Sequence, residues 1–342
     1  MRYKLFGHSG LRVSELCLGA MTFGTEWGSG ADKIESQRIF EAFVSAGGNF
    51  IDTANRYTEG TSERFLGEFI AADRDRYVVA SKYSLHDQRD DVNASGNHRK
   101  NLMRSVDQSL RRLNTDYLDI LWLHMWDFTT PVAEVMRGLD DLVRAGKVHY
   151  LGISDTPAWI VAHAITLAQM HGWTTFTGLQ VEYSLIQRTP ERELLPMAHH
   201  FDLCITPWSP LGAGMLTGKH NSVIAPDSRL TAKSPKINEK NRLIAQKVSE
   251  IAAQVGATPA QVALSWLRQQ HPQIIPIVGA RRAEQLIDSM GCLQVSLPAE
   301  LMQALDQASA IELGFPHDFL RLPGSQDALF GDMKGTILNH RA

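Results

Sequence analysis

Residues 47–57 read Gly-Gly-Asn-Phe-Ile-Asp-Thr-Ala-Asn-Arg-Tyr, and within these few positions an apolar run gives way to a polar loop. Phe50 and Ile51 suit a buried strand, and the two glycines before them mark a turn. Asp52 ends the apolar run, and Tyr57 follows on the loop. A carboxylate at a strand end beside a phenol on the next loop is typical of catalytic sites on (β/α)₈ barrels. The alternative reading is a helix-capping aspartate and a half-buried tyrosine.

Strands and helices alternate along the rest of the chain. Residues 3–6 and 11–13 flank Gly7-His8-Ser9-Gly10 and predict an N-terminal β-hairpin. Eight strands are predicted next, namely 16–19, one ending at Asp52, 77–81, 118–123, 148–152, 178–181, 203–207 and 274–278. The predicted helices between and after them are 32–46, 61–71, 98–113, 131–145, 157–171, 191–201, 238–255, 259–270, 281–291 and 298–309. Alternation of this kind indicates a parallel sheet with helices outside it.

Eight apolar strands favour a closed barrel over an open sheet. An open dinucleotide-binding sheet should carry Gly-x-Gly-x-x-Gly after its first strand, whereas residues 19–24 read Gly-Ala-Met-Thr-Phe-Gly. We therefore predict one α/β domain over residues 1–342, a (β/α)₈ TIM barrel with an N-terminal β-hairpin. Residues 211–236 and the tail from residue 311 are predicted to be long loops, which in compact barrels usually act as functional lids.

Composition excludes several classes of partner. The chain has 342 residues, 44% of them hydrophobic, and 34 basic against 37 acidic residues give a net charge of −3. This balance predicts neither nucleic-acid binding nor a basic membrane patch. The sequence shows no signal-peptide pattern and no apolar run of about 18 residues. Three widely spaced cysteines predict neither a disulfide framework nor a metal site, so we expect a cytoplasmic protein with reduced thiols.

Four polar residues are predicted at one rim of the barrel, where the strands end. They are Asp52, Tyr57 just beyond it, Lys82 after the third strand and His124 after the fourth. Taken singly, Lys82 could be a surface lysine whose stem lies on the protein, and His124 could be a hydrogen-bonded core histidine. Together at the C-terminal ends of barrel strands they indicate chemistry.

The four side chains suit proton delivery to a carbonyl oxygen. A free tyrosine has a pKa of about 10, and a nearby lysine ammonium is expected to lower it by stabilising the phenolate. Asp52 would keep Lys82 charged, and His124 could orient a substrate oxygen. Proton delivery is half of a carbonyl reduction. The other half is a hydride, which no side chain supplies, so a nicotinamide cofactor is implied.

From residues 10–14 to about 309, the sequence resembles the aldo-keto reductase superfamily, and in particular bacterial NADP-dependent reductases that resemble potassium-channel β subunits. The resemblance rests on residues 52–57 (Asp-Thr-Ala-Asn-Arg-Tyr), 81–82 (Ser-Lys) and 123–127 (Leu-His-Met-Trp-Asp). It implies a (β/α)₈ barrel that reduces aldehydes and ketones with NAD(P)H. It also implies that Asp52, Tyr57, Lys82 and His124 are the catalytic tetrad.

The resemblance implies a set of cofactor-binding residues as well. Asp155 stands where the family usually has asparagine, and a carboxylate cannot donate a hydrogen bond as the amide does. Arg281 and the helix N-terminus beside it would face the adenosine 2′-phosphate, which favours NADPH over NADH. The implied residues are Ser154, Asp155, Gln180, Trp208, Ser209, Leu211, Lys219, Arg229, Gly279, Arg281, Gln285, Asp288 and Ser289.

The substrate is expected to be a small carbonyl compound above Tyr57 and His124. Trp27, Tyr83 and Trp126 are candidate walls of its pocket, as is the tail at residues 315–319, although each could be a packing residue instead. The sequence leaves the substrate and the oligomeric state open, and a homo-oligomer is one of the open states.

Two other readings of the same barrel remain. Lys82 could form a Schiff base in a lyase, or Asp52 could belong to a glycosidase, but neither accounts for Tyr57 and Gln180 together. The other reading is a cofactor-sensing regulatory subunit, similar to potassium-channel β subunits, whose turnover is slow.

Overall fold

A computed structural model describes residues 1–219 and 234–339 of the chain. The chain opens with the predicted hairpin, in which β1 (Tyr3–Leu5) pairs antiparallel with β2 (Arg12–Ser14). The ring of Phe6 follows β1 and is fully buried against Phe50 and Trp122, at centroid distances of 5.8 and 6.0 Å. The hairpin therefore closes the N-terminal end of the barrel, opposite the strand ends that carry the polar residues.

Eight parallel strands form the barrel. Each strand pairs with the next along the chain, and the last strand, Ile277–Gly279, pairs with the first, Cys17–Gly19. A parallel bridge between Ile205 and Ile274 brings the last segment against the strand Cys204–Trp208 and closes the ring. The strands are β3 (Cys17–Gly19), β4 (Phe50–Asp52), β5 (Val78–Tyr83), β6 (Leu118–Leu123), β7 (Val148–Ser154), β8 (Phe176–Glu182), β9 (Cys204–Trp208) and β10 (Ile277–Gly279). The predicted α/β barrel is confirmed.

Helices cover the outside of the barrel, and a large apolar core lies between them and the strands. Their ends follow local signals: Asp32 caps the helix that begins at Lys33 by accepting from the Glu35 amide at 2.8 Å, and Thr258 and Gln261 form a capping box on the helix that begins at Pro259. The barrel helices are α1 (Lys33–Ser45), α2 (Thr61–Ile70), α3 (Arg99–Leu113), α4 (Val132–Arg144), α5 (Ala158–His171), α6 (Leu194–His200), α7 (Glu239–Val255), α8 (Pro259–Gln270), α9 (Ala283–Met290) and α10 (Ala299–Ala308).

Two predicted strand boundaries and the predicted loop of the tail are wrong in an informative way. β5 continues through Tyr83, so Lys82 lies inside the strand and not after it. β10 begins only at Ile277, because Pro276 has no N–H to give to a strand ladder. The tail is not a long loop, since it forms α11 (His317–Arg321), α12 (Pro323–Phe330) and a 3₁₀ segment at Gly331–Thr336.

The expected loop after β9 is only partly described. It begins with a 3₁₀ segment at Gly212–Thr217, and residues 220–233 lie outside the described part of the chain. Among the described helices, none is long and apolar enough to cross a membrane.

Candidate active site

A buried ion pair lies at the C-terminal end of β4. The Lys82 ammonium bonds to Oδ2 of Asp52 and donates to the Thr53 carbonyl at 2.9 Å. The lysine side chain is 0% exposed and the aspartate side chain 4%. Oδ1 of Asp52 accepts from the Gln180 amide at 3.1 Å, so both carboxylate oxygens have partners. Burial lowers the pKa of Lys82, but Asp52 and Tyr57 more than offset this, so the pKa lies above 10.5 and the ammonium stays charged.

Tyr57 lies directly against this pair. The Lys82 ammonium is 4.8 Å from the centroid of the phenol ring. Burial raises the pKa of Tyr57 above its usual value of 10, and the charge of Lys82 pulls it down without reversing the shift. Lys82 lowers this pKa as expected, but the net shift is upward, because loss of hydration outweighs the ammonium. At neutral pH Tyr57 is a phenol that can donate its proton.

His124 directly follows β6 and packs against Tyr57. Its ring meets the Tyr57 ring edge-on, with centroids 5.8 Å apart and an interplanar angle of 83°. Its backbone N–H donates to the Tyr83 carbonyl at 3.0 Å, which continues the β5–β6 ladder by one residue. Burial, followed by the charge of Lys82, holds the pKa of His124 well below 6.5. His124 is therefore a neutral imidazole that can give or accept one hydrogen bond per nitrogen.

A cavity of about 760 Å³ opens over these residues. This volume is within the usual range of roughly 300–1,000 Å³ for small-molecule sites. The cavity is continuous from Trp27 and Tyr57 at one end to Asp288 and Ser289 at the other. The predicted cofactor residues that line it are Ser154, Asp155, Gln180, Trp208, Ser209, Leu211, Lys219, Gly279, Arg281, Gln285, Asp288 and Ser289. Arg229 lies outside the described residues.

The chain from residue 15 to residue 310 matches the model of the Aldo/keto reductase family. The chain belongs to this family. It is an oxidoreductase of carbonyl and alcohol groups, as the names of its relatives support.

The relatives of this aldo/keto reductase include fungal and yeast proteins. It is 38% identical to a norsolorinic acid reductase of Aspergillus flavus over 326 residues, which cover 92% of this chain and 83% of that protein. It is 39% identical to an aryl-alcohol dehydrogenase [NADP(+)] of Phanerodontia chrysosporium over 354 residues, 97% of this chain and 89% of the relative. A putative aryl-alcohol dehydrogenase of Saccharomyces cerevisiae is 34% identical over 91% of this chain and 87% of its own length.

Asp155, which stands where the resemblance implies an asparagine, is bonded to Trp208. Its Oδ1 accepts a hydrogen bond from the indole N–H at 3.1 Å, across the end of β8. Its φ of +39° lies in the left-handed region, which aspartate tolerates better than most residues. Burial raises the pKa of Asp155, while the Trp208 hydrogen bond and Lys82 oppose the shift. The carboxylate thus fixes the indole that forms part of the cavity wall.

At the far end of the cavity, two predicted groups already have partners within the chain. Asp288 accepts from Thr258 Oγ1 at 3.2 Å and from Gln261 Nε2 at 3.1 Å. The first N–H of α9, on Ala283, donates to Oε1 of Glu35 at 2.7 Å. The expectation that this helix N-terminus faces a phosphate is therefore corrected for Ala283, because a carboxylate of α1 occupies that donor.

The predicted substrate walls divide into two groups. Trp27 lines the cavity, is 41% exposed, and meets the Tyr57 ring edge-on at 6.2 Å. Tyr83 and Trp126 belong to the core beneath the helices and are not among the described residues that line the cavity. Because side chains alternate along β5, Lys82 faces the barrel interior and Tyr83 faces the helices. The tail at residues 315–319 does not line the cavity either.

Several residues that line the cavity were missed from the sequence. Met21 and Thr22 follow β3, and Leu85 follows β5. Arg56 stands beside Tyr57, with its guanidinium 5.7 Å from the centroid of Trp27. Arg56 could have been found, since it precedes the catalytic candidate directly. The other three carry no signal, because apolar and hydroxyl side chains near strand ends are common in any barrel.

Proposed function

We propose that this chain reduces aldehydes and ketones with NADPH, with Tyr57 as the proton donor. The observation that carries the proposal is the buried Asp52–Lys82 pair behind the Tyr57 phenol, on the same cavity wall as a neutral His124. A phenol backed by a fixed cation is suited to give its proton to an oxygen that is gaining negative charge.

Each of the four side chains has its own task in this proposal. Tyr57 donates its proton to the carbonyl oxygen and becomes a phenolate. Lys82 stabilises that phenolate, because its ammonium attracts the negatively charged oxygen more strongly than the neutral phenol. Asp52 keeps Lys82 charged and aimed at the ring. His124, neutral and partly buried, holds the substrate oxygen near the phenol by a hydrogen bond.

The cavity offers a site that fits the nicotinamide end of the cofactor. The Ser154 hydroxyl lies on its wall and is buried without a hydrogen-bond partner among the described residues. The amide nitrogen of Gln180 is engaged by Asp52, which leaves its carbonyl oxygen to accept a bond. The Trp208 indole, held by Asp155, offers a flat face for a ring. When bound, the cofactor supplies the hydride that no side chain can supply.

The other end of the cavity would bind the phosphates and the adenosine. Lys219 and Arg281 bring two positive charges to its wall. A guanidinium can bind a phosphate with two parallel hydrogen bonds, so Arg281 favours NADPH over NADH. The name of the Phanerodontia chrysosporium relative, which includes NADP(+), agrees with this choice.

We propose an aromatic carbonyl compound as the substrate. Trp27 gives the pocket beside Tyr57 a half-exposed ring face, and one relative is named for aryl alcohols. The compartment proposed is the cytoplasm, where the three free thiols Cys17, Cys204 and Cys292 would stay reduced.

The test begins with titration of the protein by NADPH and by NADH. Binding is monitored by tryptophan fluorescence, since Trp208 lies on the cavity wall. A panel of aromatic and aliphatic aldehydes and ketones is then assayed through the nicotinamide absorbance. We expect tighter binding of NADPH and turnover of aromatic aldehydes. Tight binding without turnover on the whole panel would favour the cofactor-sensing subunit instead. Failure to bind either nucleotide would refute the proposal.

A further inference from the structure

The C-terminal segment from residue 311 to residue 339, called the tail here, lies outside the barrel. None of these residues is buried. Helix α11 contacts α12, and α12 contacts the 3₁₀ segment that follows it. The start of the tail is fixed to the barrel: Arg192 donates to the Glu312 carbonyl at 2.8 Å, and His317 bonds to Glu193 at 2.9 Å. The tail therefore leaves the barrel in a defined direction, beside the start of α6.

Short helices of this kind need a packing surface. Isolated helices below about 12–15 residues are marginal in water, and α11 and α12 have five and eight residues. Neither helix has a buried residue. Within the described chain, then, nothing covers their apolar side chains, although helices this short normally depend on such cover.

The apolar side chains of the tail are also unusually numerous on its surface. Nine large ones are between 39% and 94% exposed, namely Phe315, Phe319, Leu320, Leu322, Leu329, Phe330, Met333, Ile337 and Leu338. With roughly 150 Å² for each, the lower value for an aromatic side chain, they together leave on the order of 800 Å² of apolar surface in water. This sum over the tail exceeds the about 300–600 Å² of the largest apolar patch on a typical monomer.

Charge and area point to the kind of partner. The tail has the acidic residues Glu312, Asp318, Asp327 and Asp332, but only Arg321 and Lys334 as permanent cations. Interfacial membrane helices are rich in lysine and arginine, so this composition does not suit an anionic lipid surface. An area of about 800 Å² per partner is what a stable protein interface buries.

We propose that the tails of two copies of this chain pack against each other around a two-fold axis. In a two-fold interface the same patch serves both partners, so an apolar surface needs no other receiving site on the molecule. The two tails together would bury their apolar side chains and supply the packing that α11 and α12 lack. This interface is independent of the proposed reaction, because no described residue of the tail lines the cavity over Tyr57 and His124.

Analytical ultracentrifugation of the full chain tests the proposal. We expect a dimer at micromolar concentration. Leu329→Asp combined with Met333→Asp changes two tail side chains that are each 61% exposed. Each interface contains both residues twice, and burying one such side chain is worth about 1.5–3 kcal/mol. We expect the dissociation constant of the dimer to rise at least about 100-fold.

The matched control is Ile34→Asp combined with Met170→Asp. These residues lie on α1 and α5 and are 75% and 78% exposed, so the control adds the same charge outside the tail. It should leave the dimer unchanged. If the aspartate variant of the tail is recovered poorly, Leu329→Ser with Met333→Ser should shift the equilibrium in the same direction by a smaller factor.

Three results would overturn the proposal. One is a parent protein that is monomeric at tens of micromolar. Another is a dimer that the tail variant leaves as stable as the control variant does. The third is co-sedimentation of the parent protein, but not the tail variant, with vesicles of phosphatidylcholine and phosphatidylserine, since the occupant of the tail would then be a membrane.

Discussion

Replacing Asp52 by asparagine should destabilise the fold by an amount that depends on pH. The substitution keeps the shape of the side chain and removes the charge that balances Lys82. Both side chains are almost fully buried, so water cannot compensate the ammonium. Removing one partner of a buried ion pair costs about 3–5 kcal/mol. The amide also cannot accept from Lys82 and Gln180 with both of its terminal atoms, as the carboxylate does.

The ability of Lys82 to lose its proton limits the part of this cost that comes from burying an unpaired ammonium. Its ordinary pKa is 10.5, so at pH 7 deprotonation costs about 5 kcal/mol, and that part of the penalty stays below this value. At pH 9 the same limit is about 2 kcal/mol. In the parent protein the pKa of Lys82 is raised, so its contribution to stability is fully present below 10.5 and does not change between pH 7 and 9. In the variant, burial acts without Asp52 and lowers this pKa, so stability rises with pH.

The measurement is the free energy of unfolding in urea, monitored by fluorescence, for the parent protein and for Asp52→Asn at pH 7 and pH 9. We expect a loss of about 3–5 kcal/mol at pH 7 and of about 2 kcal/mol or less at pH 9. Adding Lys82→Met to Asp52→Asn should recover much of the loss, since no charge then remains. The control is Asp107→Asn, which breaks a half-exposed pair with Lys147 and should cost less than about 1 kcal/mol at both pH values. A loss that is equal at pH 7 and pH 9 would refute the reasoning.

Three further substitutions address the reaction, the cofactor and the histidine. Tyr57→Phe should lower turnover by about 10²–10⁴-fold and leave the NADPH dissociation constant nearly unchanged in a fluorescence titration, because it removes only the proton donor; turnover equal to that of the parent would contradict this. Arg281→Ala should weaken the binding of NADPH much more than that of NADH. The control is Arg282→Ala, at an exposed neighbouring residue that does not line the cavity, and it should change the affinity for both nucleotides little. Equal losses of affinity for both nucleotides in Arg281→Ala would exclude a contact with the 2′-phosphate. The pKa of His124 is lowered in the fold, so the unfolded chain binds a proton on this side chain first, and the free energy of unfolding falls as the pH drops below 6.5. His124→Gln should remove about 1 kcal/mol of the fall in unfolding free energy measured between pH 6.5 and 5.5. An unchanged fall would show that His124 titrates normally.

The sequence predicted the parts of the site that depend on strand ends. Asp52 and His124 each follow an apolar run directly, so the end of the run located them at the rim of the barrel. Tyr83 was misplaced for the same reason, because the predicted end of the third strand fell two residues too early. Because β5 includes Tyr83 and side chains alternate along a strand, the Tyr83 side chain faces the helices and not the barrel interior.

Contacts between distant segments were not predictable from one sequence. The bond from Trp208 to Asp155 spans 53 positions, and that from Ala283 to Glu35 spans 248. Each depends on where two elements meet around the barrel, which local patterns do not encode. The direction of the Tyr57 pKa shift was missed for a related reason. The neighbouring charge could be predicted from the sequence, but the depth of burial that outweighs it could not.

The hydrogen bond between Asp155 and Trp208 has a consequence for affinity. Immobilising a side chain with several rotamers on binding costs about 0.5–1.5 kcal/mol of conformational entropy. Because the carboxylate already holds the indole, the ring loses its rotational freedom when the protein folds and not when a ligand arrives. Any flat ligand that stacks on Trp208 therefore meets a preorganised surface. Loss of this tether would appear as weaker binding with a less favourable entropy, even though every atom that touches the ligand remained in place.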